Sequence, residues 1–328
     1  MLPRSRFLAG ACGIALMLPA RATAAAKVVI QYDWLMSNGQ IGDVVALKRG
    51  FFRDAGLDVE LSPGGPNATA AAPVISGHAQ LGQLSDSGQV MFARNSGIPI
   101  KIIAAGLRVA PFAFYSLPKN PIRSPHDMIG KRIGIQPTAR YVLEAILAKN
   151  AIDPAKVAVT DVGADMTPLA AGRVDAITGW ITNAKEMSIF SGPLVSLSME
   201  SAGLPSYGDT YFATDDAIAK SSDQLARFIR ALAQGWDWTY QYPSDAVDIA
   251  AAEYPELDSS VEKRIMPTVL RLTFDKDTAR DGWGTFRPER LAAQMRAYAA
   301  VGLLKNSLRV EDVYSMKILR DTVRAKRG

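Results

Sequence analysis

The chain has 328 residues, of which 48% are hydrophobic and 21% are charged, and its formal net charge is +5. This composition excludes an intrinsically disordered chain, and the length favours about two domains. This small net charge does not indicate a nucleic-acid-binding protein, which would show a basic stripe. Three basic residues and no acidic ones lie in the first 24 residues, so removing that segment would leave only +2.

The first 24 residues have the features of a secretory signal peptide. Two arginines precede an uncharged run over 7–20, which is too short to span a bilayer as a helix. Residues 22–24 (ATA) match an A-x-A cleavage site. We therefore expect a mature chain that begins at Ala25 and lies in the periplasm. The general secretion route is favoured, and the twin-arginine route is the alternative.

Strands and helices alternate along the first third of the mature chain. Apolar, β-branched runs predict strands over 27–33, 57–61, 79–84 and 98–105. Helical spacing and capping residues between them predict helices over 41–55, 69–77 and 86–95. This alternation is the sequence pattern of a parallel, doubly wound sheet.

A second alternating unit follows, and then a helical tail. The same signals predict strands over 131–136, 156–162 and 174–178, and helices over 138–150, 166–171 and 182–190. Later helices are predicted over 222–241, 244–254, 258–271, 288–300 and 310–325. Two extended segments, 112–117 and 207–214, lie between the units and are expected to cross between lobes. We therefore predict an α/β fold with two doubly wound lobes and two crossing strands as the hinge. Lobe one would comprise 25–114 and 208–328, and lobe two 115–207.

No catalytic or metal-binding constellation stands out. The only cysteine, Cys12, lies in the signal segment, and Ala9 does not fit a lipoprotein signal at the third position before it. The mature chain therefore has no disulfide and no thiolate chemistry. His78 and His126 have no metal-ligand partner three or four residues away, so we assign them structural or surface roles. We expect no catalytic residue, no metal and no cofactor.

The candidate ligand-binding residues are polar and aromatic side chains near strand ends or at the second crossing. In open α/β sheets, ligands bind outside the carboxyl ends of the strands. Helix N-termini there expose free N–H donors. The candidates are Trp34, Asn38, Gln40, Asn67, Ser85, Asp86, Gln136, Thr138, Arg140, Asp165, Trp180, Asn183, Tyr207 and Asp209.

Each candidate also has a purely structural interpretation. Trp34 and Trp180 either stack on a ligand or pack in the core. Several of the polar candidates can cap helices, which does not forbid a position in a cleft. Arg140 either neutralises an acidic ligand or is a solvated helix residue. The aromatic cluster that begins at Trp236 fits packing within a long helix better than a ligand site.

Several segments carry a resemblance to a known family. They are ALKRGFF at 46–52, GLDV at 56–59, ARNSGIPI at 93–100, SPHDMIGKRIGI at 124–135 and GRVDA at 172–176. In these segments the chain resembles the periplasmic substrate-binding proteins of ABC importers. The branch is the NMT1-like one, for thiamine-pyrimidine precursors, nitrate, sulfonates and riboflavin. The resemblance implies the type II two-lobed periplasmic-binding-protein fold.

The resemblance also implies a function. Asp33-Trp34 resembles the entry motif Asp-Trp-x-Pro-Asn-x-x-His of the pyrimidine-precursor branch, but Met36, Ser37 and Gln40 occupy its last three specified places. Fungal relatives are enzymes that use a cysteine-rich motif and a donor histidine, and a cysteine-free mature chain argues against that activity.

We therefore expect an extracytoplasmic solute-binding protein that closes on a small, heteroaromatic, pyrimidine-like ligand. Its partners would be a membrane permease and an ATPase, and it would be a monomer that binds no nucleic acid. Sulfonate, nitrate or aromatic-acid binding, presentation of a ligand to a membrane sensor, and an enzyme on the same scaffold are the alternatives.

Overall fold

The computed structural model describes residues 25–65, 69–182, 184–304, 308–324 and 326–328, and the side chains of Thr138 and Ala184 are not considered. The segment predicted to be a signal peptide lies outside the described residues. The strands are β1 (Ala26–Tyr32), β2 (Leu57–Ser62), β3 (Leu81–Asp86), β4 (Ile100–Leu107), β5 (Phe112–Ser116), β6 (Arg132–Ile135), β7 (Ala158–Asp161), β8 (Ala176–Trp180), β9 (Val195–Ser198) and β10 (Gly208–Thr214).

The helices connect these strands and form the C-terminal part of the chain. They are α1 (Ile41–Lys48), α2 (Phe51–Asp54), α3 (Ala71–Ile75), α4 (Ser87–Asn95), α5 (Arg140–Lys149), α6 (Thr167–Ala170), α7 (Ala184–Met187), α8 (Asp215–Lys220), α9 (Ser222–Gln241), α10 (Pro243–Glu253), α11 (Ser259–Thr273), α12 (Lys276–Asp281), α13 (Pro288–Ala300) and α14 (Lys317–Arg320). No helix in the described ranges is both long and apolar enough to cross a membrane.

The strands form two five-stranded sheets with the same topology. The first has the order β2-β1-β3-β10-β4 and the second β7-β6-β8-β5-β9. In each sheet the first three strands are parallel, and the fourth, β10 or β5, is antiparallel to both of its neighbours. The α/β architecture is as predicted, but the sheets are mixed rather than wholly parallel.

The two segments predicted to cross between lobes are β5 and β10, and each pairs within one sheet only. The chain passes between the sheets over 108–111 and again over 199–207. The boundary predicted at residue 114 falls inside β5, so sheet membership places the first crossing a few residues earlier. The division into two lobes, as a unit of folding or motion, stays a proposal.

Some helical predictions were wrong. The segment 41–55 is divided into α1 and α2 at Gly50, whose φ of 80° is in the left-handed region that favours glycine. The segment 310–325 is not one helix. Val313 and Ser315 exchange backbone hydrogen bonds with Ile102 on the edge strand β4, both at 2.9 Å, and that pairing is incompatible with a continuous helix.

The tail helices pack against the first sheet and its helices. The Trp236 side chain is fully buried, and it stacks on Trp283 with ring centroids 6.3 Å apart. Its indole N–H donates a hydrogen bond of 3.0 Å to Asp43 Oδ1. The expectation that this part of the aromatic cluster serves packing is confirmed. The side chain of Trp236 on α9 is therefore bonded directly to Asp43 on α1.

Candidate functional site

A cavity of about 450 Å³ lies where the carboxyl ends of strands from both sheets meet. Residues following β1 and ending β3 line it from the first sheet, and residues at the ends of β6 and β8 line it from the second. The change of winding direction between β1 and β3, and between β6 and β8, is where doubly wound sheets leave a crevice. The lining residues that were predicted are Trp34, Gln40, Ser85, Asp86, Gln136, Trp180 and Asp209.

One wall of the cavity is built around Asp33, directly after β1. Its Oδ2 accepts hydrogen bonds from both the backbone N–H and the hydroxyl of Ser85, each at 2.7 Å. Burial raises the pKa of Asp33 to about 6, although the two bonds from Ser85 oppose the increase. Parallel pairing of β1 with β3 brings these two residues together.

A short turn at Asn38–Gln40 precedes α1 and places Gln40 in the cavity wall. Gln40 Oε1 accepts from the backbone N–H of Ser37 at 3.0 Å, and its Nε2 donates to Gln83 at 2.9 Å. Asn38 does not line the cavity. It is fully buried and its amide donates to the Glu262 carboxylate, so it ties α11 to this turn.

Aromatic side chains from both halves of the molecule line the cavity. The first half is the part that contains the first sheet, and the second half is the part that contains the second sheet. Trp34 and Trp180 are each only partly exposed and both contribute to its wall. The Trp180 ring meets Phe112 edge to face at 5.0 Å. On another side Phe92 meets Tyr141 edge to face at 4.8 Å. The cavity therefore offers several flat, apolar surfaces to a planar ligand.

A hydrogen bond joins the two halves across the cavity. The Tyr141 hydroxyl, on α5 of the second half, donates to Asp86 Oδ2 at 2.6 Å. Asp86 also caps α4, because its Oδ1 accepts from the Gly88 backbone N–H at 2.6 Å. Burial raises the pKa of Asp86 above its ordinary value. Both the capping and the cleft interpretations of Asp86 therefore apply.

Asp209, on β10, completes the acidic part of the wall. It is only 6% exposed, and its Oδ2 has no hydrogen-bond partner among the described residues. Its φ of 45° is in the left-handed region, which is uncommon for a residue other than glycine. Burial, and then the nearby Asp33 and Asp43, raise its pKa well above the ordinary value.

Three further predicted residues lie away from the cavity. Arg140 forms an ion pair with Asp161. Asp165 is exposed, and its Oδ1 accepts from the backbone N–H of Thr167, the first residue of α6, at 2.7 Å. Tyr207 is buried at the second crossing. Two guanidinium groups lie over its ring, those of Arg108 at 4.9 Å and Arg290 at 5.1 Å from the ring centroid.

The remaining predicted residues cannot be placed. Asn67 and Asn183 lie outside the described residues, and so does the side chain of Thr138.

Sequence reasoning missed several residues of the wall: Asp33, Leu35, Ser37, Gln89, Phe92, Phe112, Tyr141, Val142, Thr182 and Met199. Asp33 carried a usable signal, because it ends the first predicted strand beside Trp34. Phe92 and Tyr141 lie within helices, where the sequence gives no sign of a cleft position. Neither histidine lines the cavity.

Comparison with solved structures shows which fold the chain has. The periplasmic aliphatic sulphonate binding protein SsuA of Escherichia coli superposes with a TM-score of 0.65 at 13% identity, covering 88% of this chain and 92% of that one. The chain thus has the two-lobed periplasmic-binding-protein fold. Its family follows from the sequence: the model of the NMT1/THI5 like family matches residues 38–246, and the chain belongs to that family.

Named relatives include both binding proteins and an enzyme. The formylaminopyrimidine-binding protein of Halalkalibacterium halodurans is 24% identical over 262 residues, covering 76% of this chain and 77% of that protein. The riboflavin-binding protein RibY of Chloroflexus aurantiacus is 22% identical and covers 83% and 80%. The 4-amino-5-hydroxymethyl-2-methylpyrimidine phosphate synthase of Legionella pneumophila is also 22% identical, with coverage of 74% and 79%.

Proposed function

We propose that this chain is an extracytoplasmic solute-binding protein of an ABC importer. It holds a small heteroaromatic ligand between its two lobes and delivers that ligand to a membrane permease. The observation that carries the proposal is the cavity of about 450 Å³, with one tryptophan, Trp34 or Trp180, at a strand end of each sheet. That volume lies within the range of about 300–1,000 Å³ that is typical of small-ligand pockets.

Hinge closure is the proposed mechanism. A ligand that contacts both halves binds the closed state better than the open state and shifts the equilibrium toward it. The hydrogen bond from Tyr141 to Asp86 also joins the two halves, and it would add to the stability of the closed state. The closed form would then dock on the permease in the periplasm, and the N-terminal signal segment would direct export.

Enzymatic conversion of the ligand has less support. Among the described residues, the cavity wall contains no histidine and no cysteine, and Cys12 is the only cysteine in the sequence. Two of the carboxyl groups of the wall, those of Asp33 and Asp86, already act as hydrogen-bond acceptors within the protein. The synthase name of one relative is therefore not carried over to this chain.

Mass spectrometry of the compound that co-purifies with the exported protein tests the proposal. We expect an unmodified heteroaromatic compound that rebinds after removal, as measured by calorimetry. Recovery of a converted product would favour an enzyme instead. A screen of pyrimidines, flavins, sulfonates and aromatic acids by thermal shift then ranks the ligand classes. Failure of every heteroaromatic compound in both experiments would overturn the proposed ligand class.

A further inference from the structure

A network of buried polar side chains lies outside the cavity, between α4, α13 and the second crossing segment (199–207). Its members are Ser87, Ser206, Gln294 and Tyr298, each at most 1% exposed. Ser87 is the first residue of α4, Ser206 lies in the crossing segment, and the other two residues lie on α13. The network therefore joins three parts of the chain that are far apart in sequence.

Gln294 is the centre of this network. Its Oε1 accepts from the Ser87 hydroxyl at 2.6 Å. Its Nε2 donates to Ser206 Oγ at 3.0 Å and to the Tyr298 hydroxyl at 3.2 Å. An uncharged amide supplies an acceptor oxygen and two N–H donors, and all of these groups are engaged within the protein. A satisfied buried network of this kind fixes the relative positions of the elements that carry it.

The end of the second crossing segment is held by the same residues. Ser87 donates its backbone N–H to the Tyr207 carbonyl at 3.0 Å, and its hydroxyl oxygen accepts from the Tyr207 backbone N–H at 3.2 Å. One turn before Gln294 on α13, Arg290 donates to the Ser206 carbonyl at 3.2 Å. A change in the path of this segment, which the proposed hinge closure requires, would therefore act directly on Ser87 and Gln294.

The network also reaches the cavity wall, and it does so by two routes. Ser87 directly follows Asp86, whose carboxyl group accepts from the hydroxyl of Tyr141 in the second half. The ring of Tyr298 lies 5.1 Å from that of Phe92 and 5.9 Å from that of Tyr141, and both of these residues line the cavity. Because residues four apart share one face of a helix, a single face of α13 runs from the crossing segment to the wall.

We propose that Gln294 is a positioning residue that couples the path of the second crossing segment to the hydrogen bond between Tyr141 and Asp86. This inference rests on the proposed function, because it concerns how closure of the two halves is transmitted to the ligand site. The network lets Asp86 reach its bonding position when the crossing segment takes its closed path. Closure and completion of the wall are then one step, so loss of Gln294 weakens ligand binding although this residue does not line the cavity.

A double-mutant cycle measured by calorimetry tests the coupling. The probe is riboflavin or 4-amino-5-hydroxymethyl-2-methylpyrimidine, whichever the wild type binds more tightly. Gln294→Met keeps the length of the side chain and removes its hydrogen bonds, and we expect it to raise the dissociation constant by about 10-fold. In a Tyr141→Phe background the same substitution should raise it by no more than ~2-fold, because the bond on which Gln294 acts is already absent. Losses that multiply in the double variant would overturn the inference and leave the proposed function intact.

Two further variants separate this coupling from a general loss of structure. Ser206→Ala removes one hydroxyl group of the network, and its smaller loss of affinity should likewise disappear in the Tyr141→Phe background. Gln234→Met makes the same substitution as Gln294→Met at an exposed position of α9, and it should behave like the wild type. A Ser206→Ala loss that persists in full without the Tyr141 hydroxyl would contradict the coupling.

A measurement without ligand decides the inference if neither probe binds, an outcome that would count against the proposed ligand class instead. Spin labels attached through Asp58→Cys on β2 and Ala158→Cys on β7, both exposed positions, report the distance between the halves by double electron–electron resonance. We expect Gln294→Met to broaden the distance distribution and Gln234→Met to leave it unchanged. Equal widths for the wild type and Gln294→Met would show that Gln294 does not constrain the two halves.

Discussion

At the scale of single residues, Trp34 is a partly exposed aromatic side chain in the cavity wall. It is the second residue after β1, and its carbonyl accepts a hydrogen bond of 2.9 Å from the Gly64 backbone N–H. The backbone is thus held by the loop after β2, while the side chain lines the cavity and stays partly exposed.

We predict that Trp34→Ala weakens binding of the cognate heteroaromatic ligand by roughly 30- to 150-fold, which corresponds to about 2–3 kcal/mol. Its free energy of unfolding should stay within about 1 kcal/mol of the wild type, because the side chain is not part of the buried core. Calorimetry and urea unfolding measure the two quantities. Trp238→Ala, a partly buried tryptophan on α9 outside the cavity, is the control and should leave affinity unchanged. A Trp34→Ala protein that loses stability but keeps its affinity would make Trp34 a scaffold residue.

Asp33 makes folding stability depend on pH. Its pKa is about 6 in the folded protein against an ordinary value of 3.8, so between those values the unfolded chain releases the proton first. Stability from this group is therefore present at low pH and falls as the pH rises through 6. Relative to Asp33→Asn, the wild type should lose about 2–3 kcal/mol between pH 4 and pH 7. Urea unfolding of both proteins across this range measures it, and parallel pH profiles would contradict the prediction.

At the scale of elements, the crossing of α1 and α9 positions one side of the cavity. The two helices approach closely because glycines meet at the contact. A Cβ at Gly42 would lie 2.3 Å from the Trp236 ring, and a Cβ at Gly235 would lie 2.2 Å from the Gly42 carbonyl oxygen. The turn that carries Gln40 leads directly into α1, so the spacing of this helix pair sets the position of that part of the wall.

We predict that Gly235→Ala lowers the free energy of unfolding by about 3 kcal/mol, since the added methyl group meets backbone that cannot yield without moving a helix. Thermal or urea unfolding measures the loss. Gly163→Ala is the matched control, because a Cβ at Gly163 would meet nothing within 4 Å, and its stability should change by no more than about 0.5 kcal/mol. Equal stability of the two variants would show that the helices can separate freely.

At the scale of the whole molecule, side-chain contacts as well as the chain crossings link the parts that contain the two sheets. Besides the bond from Tyr141 to Asp86, Arg290 on α13 forms an ion pair with Glu200 in the second crossing segment. Arg290 also lies over the Tyr207 ring. The crossing segment is therefore anchored to α13, and we expect hinge closure to act on the other contact, the hydrogen bond from Tyr141 on α5 to Asp86.

We predict that Tyr141→Phe raises the dissociation constant for the ligand by about 10-fold, because the closed state loses a hydrogen bond to a carboxyl group. Small-angle scattering of the wild type should show a smaller radius of gyration at saturating ligand, and the variant should need more ligand to reach it. Tyr242→Phe, whose ring is exposed on the surface, is the control. Scattering curves that are identical with and without ligand would count against hinge closure.

Much of the site followed from local sequence signals. The apolar runs that became β1, β3, β6 and β8 also located their carboxyl ends, so residues adjoining them, such as Trp34, Ser85, Gln136 and Trp180, were predicted and do line the cavity. This works because strands are recognised by short-range patterns and the ends of parallel strands share one edge of a sheet. The position of the only cysteine, Cys12, and the scaffold segments of the family were likewise readable directly from the sequence.

The rest depended on tertiary structure. Arg140 and Tyr141 are adjacent on α5, and only Tyr141 lines the cavity, because successive side chains on a helix point about 100° apart and packing sets the rotation. Phe112 lines the cavity because its strand, β5, pairs antiparallel with β8, which lies far along the chain. The acidity of the wall likewise arises from Asp33, Asp86 and Asp209, which three separate strand ends bring together. The sequence by itself thus determined the class of fold and the strand ends, whereas long-range pairing and helix rotation decided which side chains line the cavity.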